Sequence, residues 1–214
     1  LPNLTIISII TSMDYVEPAL KSMLQARKRV TPHAATIVCP QKYNSDYPVG
    51  FLDVKIEGDY SHWILKNLKN WVSTDYCLVQ QWDSAVLDES YWDAAYFDYD
   101  YIGAPWAMDG PHRVGNGGFS LRSKKMLEES SKIADLLPQG QFITGNEDYF
   151  LCVTARKYLE MKKVKFAPLE LARKFSVERP IAEYPHDYSD LGTYKSFGFH
   201  GEFNKSGMIE INRE

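Results

Sequence analysis

Tyr76-Cys77-Leu78-Val79-Gln80-Gln81-Trp82-Asp83 decides how this chain is read. Cys77-Leu78-Val79 is an apolar run of strand length, and it stops abruptly at Gln81-Trp82-Asp83. Open α/β sheets bind ligands outside the carboxyl ends of their strands. A carboxylate placed there costs free energy unless something positive meets it, and a divalent cation carrying a diphosphate is one such partner. Downstream follow Val114-Gly115-Asn116-Gly117-Gly118-Phe119-Ser120, then Asn146-Glu147-Asp148, then Phe197-Gly198-Phe199-His200. A strand-end acid, a glycine-rich turn, an acid pair and a late histidine, in that order, point to a metal-assisted enzyme acting on a nucleotide-activated substrate.

The surrounding pattern supplies the sheet. Residues 4–11 are β-branched and nearly uninterrupted, as in a strand buried on both faces. Ala19, Leu20, Met23 and Leu24 give residues 17–28 a helical stripe, and Arg27, Lys28 and Arg29 complement its dipole. Residues 35–39 form a second short strand, ended by Pro40. This β-α-β opening implies a parallel sheet with a right-handed crossover. A third strand is expected over 53–56. Ser61 is expected to cap a helix over 62–72 that feeds the Tyr76 strand. Residues 91–97 read as helical, and 101–104 and 119–121 as strands. Helices are expected over 124–137, stopped by Pro138, and over 147–159, with a strand over 164–167 and a loop-rich remainder. The fold class is α/β with a mixed sheet.

At 214 residues, 44% hydrophobic and 24% charged, the chain has ordinary globular composition and the length of one substantial domain. The net charge of −4, without a long basic run, argues against a nucleic-acid partner. A small anion held by a few Lys or Arg stays open. Aromatic residues reach 14%, which suits sugar faces and bases but, taken alone, reads as a large aromatic core. Cys39, Cys77 and Cys152 are scattered in apolar contexts without metal spacing, which implies buried thiols in a reducing, cytoplasmic compartment. The apolar residues 4–10 are too few to span a bilayer and lack a basic leader. A first residue other than Met fits a single domain, residues 1–214, cut from a longer multidomain protein.

Tyr99-Asp100-Tyr101-Ile102-Gly103-Ala104-Pro105-Trp106, Gly115 through Arg122 and Asn146-Glu147-Asp148 together carry a family resemblance. The chain resembles small glycosyltransferases of the GT-A fold, and looks most like the N-terminal glycosyltransferase domain of a chlorovirus protein that builds capsid glycans. The resemblance implies a Rossmann-like mixed central sheet flanked by helices. It implies a nucleotide-sugar donor, usually a UDP-sugar, with Mn²⁺ or Mg²⁺ as cofactor and a glycan or glycoprotein as acceptor. A hexose or deoxyhexose, glucose or rhamnose first, is the expected sugar, and a viral origin would place the protein in host cytoplasm. The family's Asp-x-Asp hallmark is matched by Gln81-Trp82-Asp83, so the first acid is missing. One carboxylate and an amide bind a hard cation more weakly than two carboxylates.

As metal ligands the resemblance points to Asp83 and His200, since imidazole suits Mn²⁺. A turn-capping role for Asp83 and a structural role for His200 are the plainer alternatives. Asp88 and Glu89 lie near Asp83, and His186, in what reads as a surface loop, is the fallback histidine. Thr11, Ser12 and Asp14 close the first strand, where the resemblance implies contact with uracil and ribose, and where helix capping suits them equally. Lys66 and Asn67 could reach the nucleotide or a phosphate, or lie on a solvated helix face. Gln81, Trp82, Gly117 and Gly118 complete the expected donor site. Glycines let backbone approach a ligand closely, although Asn116-Gly117 is also a turn signal, and no P-loop follows.

Inverting transfer needs a carboxylate to deprotonate the acceptor hydroxyl. Asp148 matches the family's base position and Glu147 is the runner-up; the alternative is that both acids favour a first helical turn. Trp82, Trp106 and Tyr149 could stack on sugars or pack internally. A retaining transferase and a catalytically silent nucleotide-sugar-binding module are the competing readings. A sugar-1-phosphate nucleotidyltransferase would open with a Gly-rich basic loop that Ser12-Met13-Asp14-Tyr15 lacks.

Overall fold

The structure, a computed structural model, describes residues 3–137 and 146–212. Its larger sheet is built from β1 (Leu4–Ile9), β2 (Ala34–Cys39), β3 (Gly50–Asp53), β4 (Tyr76–Gln80), β6 (Tyr101–Ile102) and β7 (Phe119–Ser123). A smaller sheet holds β5 (Ser84–Val86), β8 (Ser176–Val177) and β9 (Gly198–His200). The strand orders are β3-β2-β1-β4-β7-β6 and β5-β9-β8. β1 to β4 run parallel, and β7 lies antiparallel to both β4 and β6. The helices are α1 (Val16–Val30), α2 (Tyr60–Asn67), α3 (Lys124–Leu136), α4 (Glu147–Tyr149), α5 (Arg156–Met161), α6 (Leu169–Phe175) and α7 (Lys205–Asn212).

The continuous apolar character of β1 follows from its place between β2 and β4 with helices on both faces. Successive side chains point to opposite faces. Ile7, Ile9, Cys77 and Val79 pack with Trp63, Ile64 and Leu68 on one side. Ile6, Ile37 and Leu78 pack on the other with Leu20 and Met23 of α1. The smaller sheet is held to the larger by aromatic rings, with Phe119, Phe175 and Phe197 at centroid separations of 5.3–5.9 Å. The aromatic content thus serves the core. Cys39, Cys77 and Cys152 are free and buried, and burial pushes the Cys77 thiol up to about 12.

Several elements depart from the sequence expectations, each for a local reason. The third strand is Gly50–Asp53 instead of 53–56, set by its register against Thr36–Cys39. The second helix starts at Tyr60, because Asp59 and not Ser61 supplies the cap, accepting the His62 N–H at 2.9 Å; Ser61 is buried inside the first turn. In place of the helix expected over 91–97 there are two short 3₁₀ turns, Glu89–Tyr91 and Ala94–Asp98, capped by the Asp88 and Asp93 side chains. The helix expected over 147–159 is broken by a π-helical turn, Phe150–Thr154, between α4 and α5. Residues 164–167 form a single bridge, Phe166 to Tyr101, instead of a strand. Pro138 lies outside the described residues. The loop-rich remainder contains α6, β8, β9 and α7. Among the described residues no helix is long and apolar enough to cross a membrane.

Candidate active site

Three strand registers bring distant residues to one corner. β4 pairs Gln80 with Phe119 of β7, so the Gln81 N–H meets the Gly118 carbonyl at 2.8 Å. β5 pairs Ser84 with His200 of β9, and the Gly201 N–H meets the Asp83 carbonyl at 2.9 Å. β8 pairs Val177 with Phe199, which sets Glu178 beside His200. Gln81, Asp83, Gly118, Glu178 and His200 therefore converge at the carboxyl end of β4, beside the point between β1 and β4 where the strand order reverses.

At the centre is the His200 imidazole. Its Nε2 lies 3.5 Å from Asp83 Oδ1 and 3.0 Å from Gln81 Oε1, and its Nδ1 lies 3.5 Å from Glu178 Oε1. The Asn116 amide, whose Oδ1 accepts from the Phe119 N–H, presents its NH₂ group to the same Nδ1 at 3.0 Å. Amide and carboxylate pull in opposite directions at Nδ1, the first favouring neutral imidazole and the second imidazolium. Burial also favours the neutral form, yet the Asp83 and Glu178 carboxylates outweigh it and raise the ring to about 9. Asp83 Oδ1 is buried without a hydrogen-bond partner.

This donor set fits a divalent cation. Asp83 Oδ1 and His200 Nε2 are a carboxylate and an imidazole facing each other, Gln81 Oε1 adds a neutral oxygen, and Glu178 stands behind the other ring nitrogen. A carboxylate in that rear position orients a metal-bound histidine and raises its basicity. Among the described residues no three His, Cys, Asp or Glu side chains converge as ligands, so phosphate oxygens and water would complete the shell. Asp88 and Glu89 are engaged elsewhere, capping Ser90 and pairing with Arg29. The surface-loop reading of His186 is overturned: it is buried, bonded to Asn204 at 3.1 Å and apart from this corner.

The glycine turn joins this corner to the acid pair. Gly117 N–H donates to Asp148 Oδ2 at 2.7 Å, and the Tyr149 N–H occupies Asp148 Oδ1 at 2.7 Å. A Cβ on Gly117 would overlap the Glu147 carboxylate, and one on Gly118 would overlap the His200 ring. Glycine at both positions thus clears space inside the turn. The cleared space is filled by Glu147 and His200, and the Gly117 N–H belongs to Asp148. Glu147 is itself buried and paired with buried Arg122 at 3.1 Å. Burial raises its carboxyl while Arg122 opposes the shift. Asp148 is half-buried, so it keeps the access that Glu147 lacks.

The end of β1 reaches the same corner through Tyr15, which stacks on Trp82 at 4.7 Å. Ser12 accepts the Asp14 N–H at 3.2 Å, so it does cap a turn, and Thr11 and Asp14 are exposed beside it. Lys66 and Asn67 are not gathered here: Lys66 pairs with Asp135 of α3, and Asn67 donates to the Trp63 carbonyl. Trp106 faces Tyr149 at 6.1 Å, and Tyr149 is exposed next to Asp148. Three site residues escaped the sequence reading. Glu178 ends the short run Phe175-Ser176-Val177, the same strand-end acid signal as Asp83. Arg122 is a lone charge inside a buried strand, and such a charge demands a partner. Tyr60, whose hydroxyl accepts from Gln81 Nε2 at 3.3 Å, gave no signal.

The fold has known counterparts. The structure resembles a glycosyltransferase involved in glycosylation of the major capsid of PBCV-1, with a TM-score of 0.55, 14% identity and 100% of both chains covered. It resembles the galactosyltransferase LgtC with a TM-score of 0.58 and 12% identity over 98% of this chain and 94% of that one. Mouse xyloside xylosyltransferase 1 matches with a TM-score of 0.53 and 11% identity over 95% and 98%. At such identities the shared property is the fold, the GT-A fold. No curated protein sequence matches the chain. A family model covers residues 54–200, more than half of the chain and every residue of the corner from Gln81 to His200. The chain therefore belongs to the family described as "Protein of unknown function (DUF5672)".

Proposed function

We propose that the protein is a metal-dependent glycosyltransferase that moves a hexose or deoxyhexose from a UDP-sugar to a hydroxyl of a glycan or glycoprotein, with inversion. One observation carries the reading: the Gly117–Gly118 turn touches Asp148 on one side and His200 on the other. Asp148 and the Asp83–His200 pair thereby share one support, which favours a base and a cation site acting on the same substrate. A GT-A fold gives that arrangement its context.

In this reading Asp83 and His200 would hold Mn²⁺ or Mg²⁺, which would supply positive charge for the departing diphosphate. Glu178 orients the His200 ring through Nδ1. Thr11, Ser12 and Asp14 face the nucleoside beside the Tyr15–Trp82 stack. Asp148 takes the proton of the acceptor hydroxyl on a carboxylate oxygen as the acceptor oxygen bonds to the anomeric carbon and the bond to UDP breaks. Glu147 supports the turn through Arg122 and takes no proton.

The test is release of UDP from UDP-glucose or UDP-rhamnose with Mn²⁺, together with UDP affinity by calorimetry. Asp148→Asn should abolish release and leave UDP affinity within about twofold, because a base acts on the transition state and adds little to ground-state binding. Asp83→Ala should weaken Mn²⁺-dependent UDP binding. Turnover near wild type in the first variant removes Asp148 from its role, and unchanged affinity in the second removes the metal assignment. NMR of the product's anomeric configuration distinguishes inversion from retention. A second reading, a binding module without turnover, draws support from Gln81 in place of an acid and its bond to His200 Nε2. Tight UDP-sugar binding with no UDP release would favour it.

A further inference from the structure

A second concavity, of about 220 Å³, lies beyond the strand that carries Glu178. Val177 and Arg179 line it, while the residue between them turns to His200. Its charge runs against the −4 of the whole chain. Among the described residues Arg179 and Lys195, both exposed at its rim, have no carboxylate partner; the Arg179 guanidinium rests on the Phe203 ring at 4.5 Å. Arg173 lies over the Tyr184 ring at 4.2 Å and is shared with Glu170 at 3.3 Å. The one acid of the lining, Glu183, is held by a bidentate bond from Arg113 that takes its carboxyl down to about 2. Arg179 and Lys195, two cations without a carboxylate partner among the described residues, thus face a cleft whose lining acid, Glu183, is already paired.

The inner wall is polar and fixed. Fully buried Asn204 donates to the Glu178 carbonyl at 2.9 Å and to the His200 carbonyl at 2.7 Å. Its Oδ1 is left to accept from His186 Nε2 at 3.1 Å. Nε2 therefore carries the hydrogen, and burial lowers the imidazole against the opposing pull of Asn204 and the Glu178 backbone. Lys195 holds a φ of +44°, a left-handed conformation that a lysine adopts only when its surroundings enforce it.

We infer that this cleft binds a single sugar bearing a carboxylate or phosphate, its anionic group between Arg179 and Lys195 and its ring against Tyr184 and His186. Guanidinium and ammonium groups without a carboxylate partner are the donors that such anions take. The volume lies below the roughly 300–1,000 Å³ of drug-sized sites, which suits one monosaccharide. The inference stands whether or not the Asp83–His200 corner turns over a nucleotide sugar.

Titrating the protein without metal with glucose, glucose 6-phosphate, glucuronate and inorganic phosphate, followed by amide NMR at low salt, tests it. Glucose 6-phosphate or glucuronate should bind about tenfold or more tighter than glucose, as a charged hydrogen bond adds over a neutral one. Binding should weaken with added salt, with shifts confined to residues 173–195. Preference for one of the two sugars identifies the anion as phosphate or carboxylate. The exposed double variant Arg179→Gln/Lys195→Gln should lose that preference at unchanged Tm. Equal binding of glucose, an unaffected double variant, or inorganic phosphate binding as tightly as glucose 6-phosphate would each overturn it.

Discussion

Arg122 and Glu147 show how much one buried ion pair is asked to do. The guanidinium reaches the Gly117 carbonyl at 3.4 Å, the Ser120 hydroxyl at 3.0 Å and the Glu147 carboxylate at 3.1 Å. Removing one partner leaves the other charge buried and unpaired, a loss of about 3–5 kcal/mol, whereas removing both is far milder. Arg122→Met should therefore lower urea stability by that amount, and Arg122→Met/Glu147→Gln should recover most of it. A double variant as unstable as the single one would show that the pair is not the source of the effect. Neither residue's role was legible beforehand. The sequence displays an arginine in a strand and an acid pair, but not the closure between positions 122 and 147.

At the scale of elements, legibility followed length and burial. β1, β2 and β4 were readable because strands covered on both faces must be apolar throughout. β5, β8 and β9 have two or three residues each, too few to show any period. They are also the strands that deliver Asp83, Glu178 and His200 to one place, so Asp83 and His200 were visible while Glu178 and the assembly were not. His200 and Gln81 are 119 positions apart, and only pairing register joins them. The start of α2 is a smaller case of the same kind. Asp59 and Ser61 are both good caps, and the choice rests on which side chain reaches the His62 N–H. Asp59→Ala should cost about 1 kcal/mol in thermal or urea unfolding. Ser61→Ala, at a position inside the helix, should cost less; the reverse ranking would place the cap at Ser61.

For the whole molecule, the two unusual histidines give stability a pH optimum. In the metal-free chain burial opposes but does not prevent the rise of His200 to about 9. Its contribution is complete below the unfolded value of about 6.5 and fades as pH climbs through 9. His186 behaves oppositely. Burial lowers its imidazole, so the unfolded chain takes up the proton first as pH falls. Its contribution is complete above about 6.5 and diminishes below it, toward the lowered folded value. His186→Gln should flatten the acid-side slope of urea stability and leave the alkaline side unchanged. An acid-side slope identical to wild type would assign that branch to carboxylates alone.

The widened turn Phe150–Thr154 has a consequence for how the acid pair is aimed. Such a turn holds one residue more than an α-helical turn, and it acts as a phase shift between α4 and α5. Each α-helical residue rotates the chain by roughly 100°. Deleting Val153 would let the two segments fuse into one regular helix, with Leu159 still anchored in its cluster. Everything upstream would then be swung round by about that angle, carrying the Asp148 carboxylate away from the Gly117 amide. The shortened protein should gain far-ultraviolet helical signal and, on the function proposed above, still bind UDP with manganese while losing sugar transfer: a geared mechanism with one tooth removed.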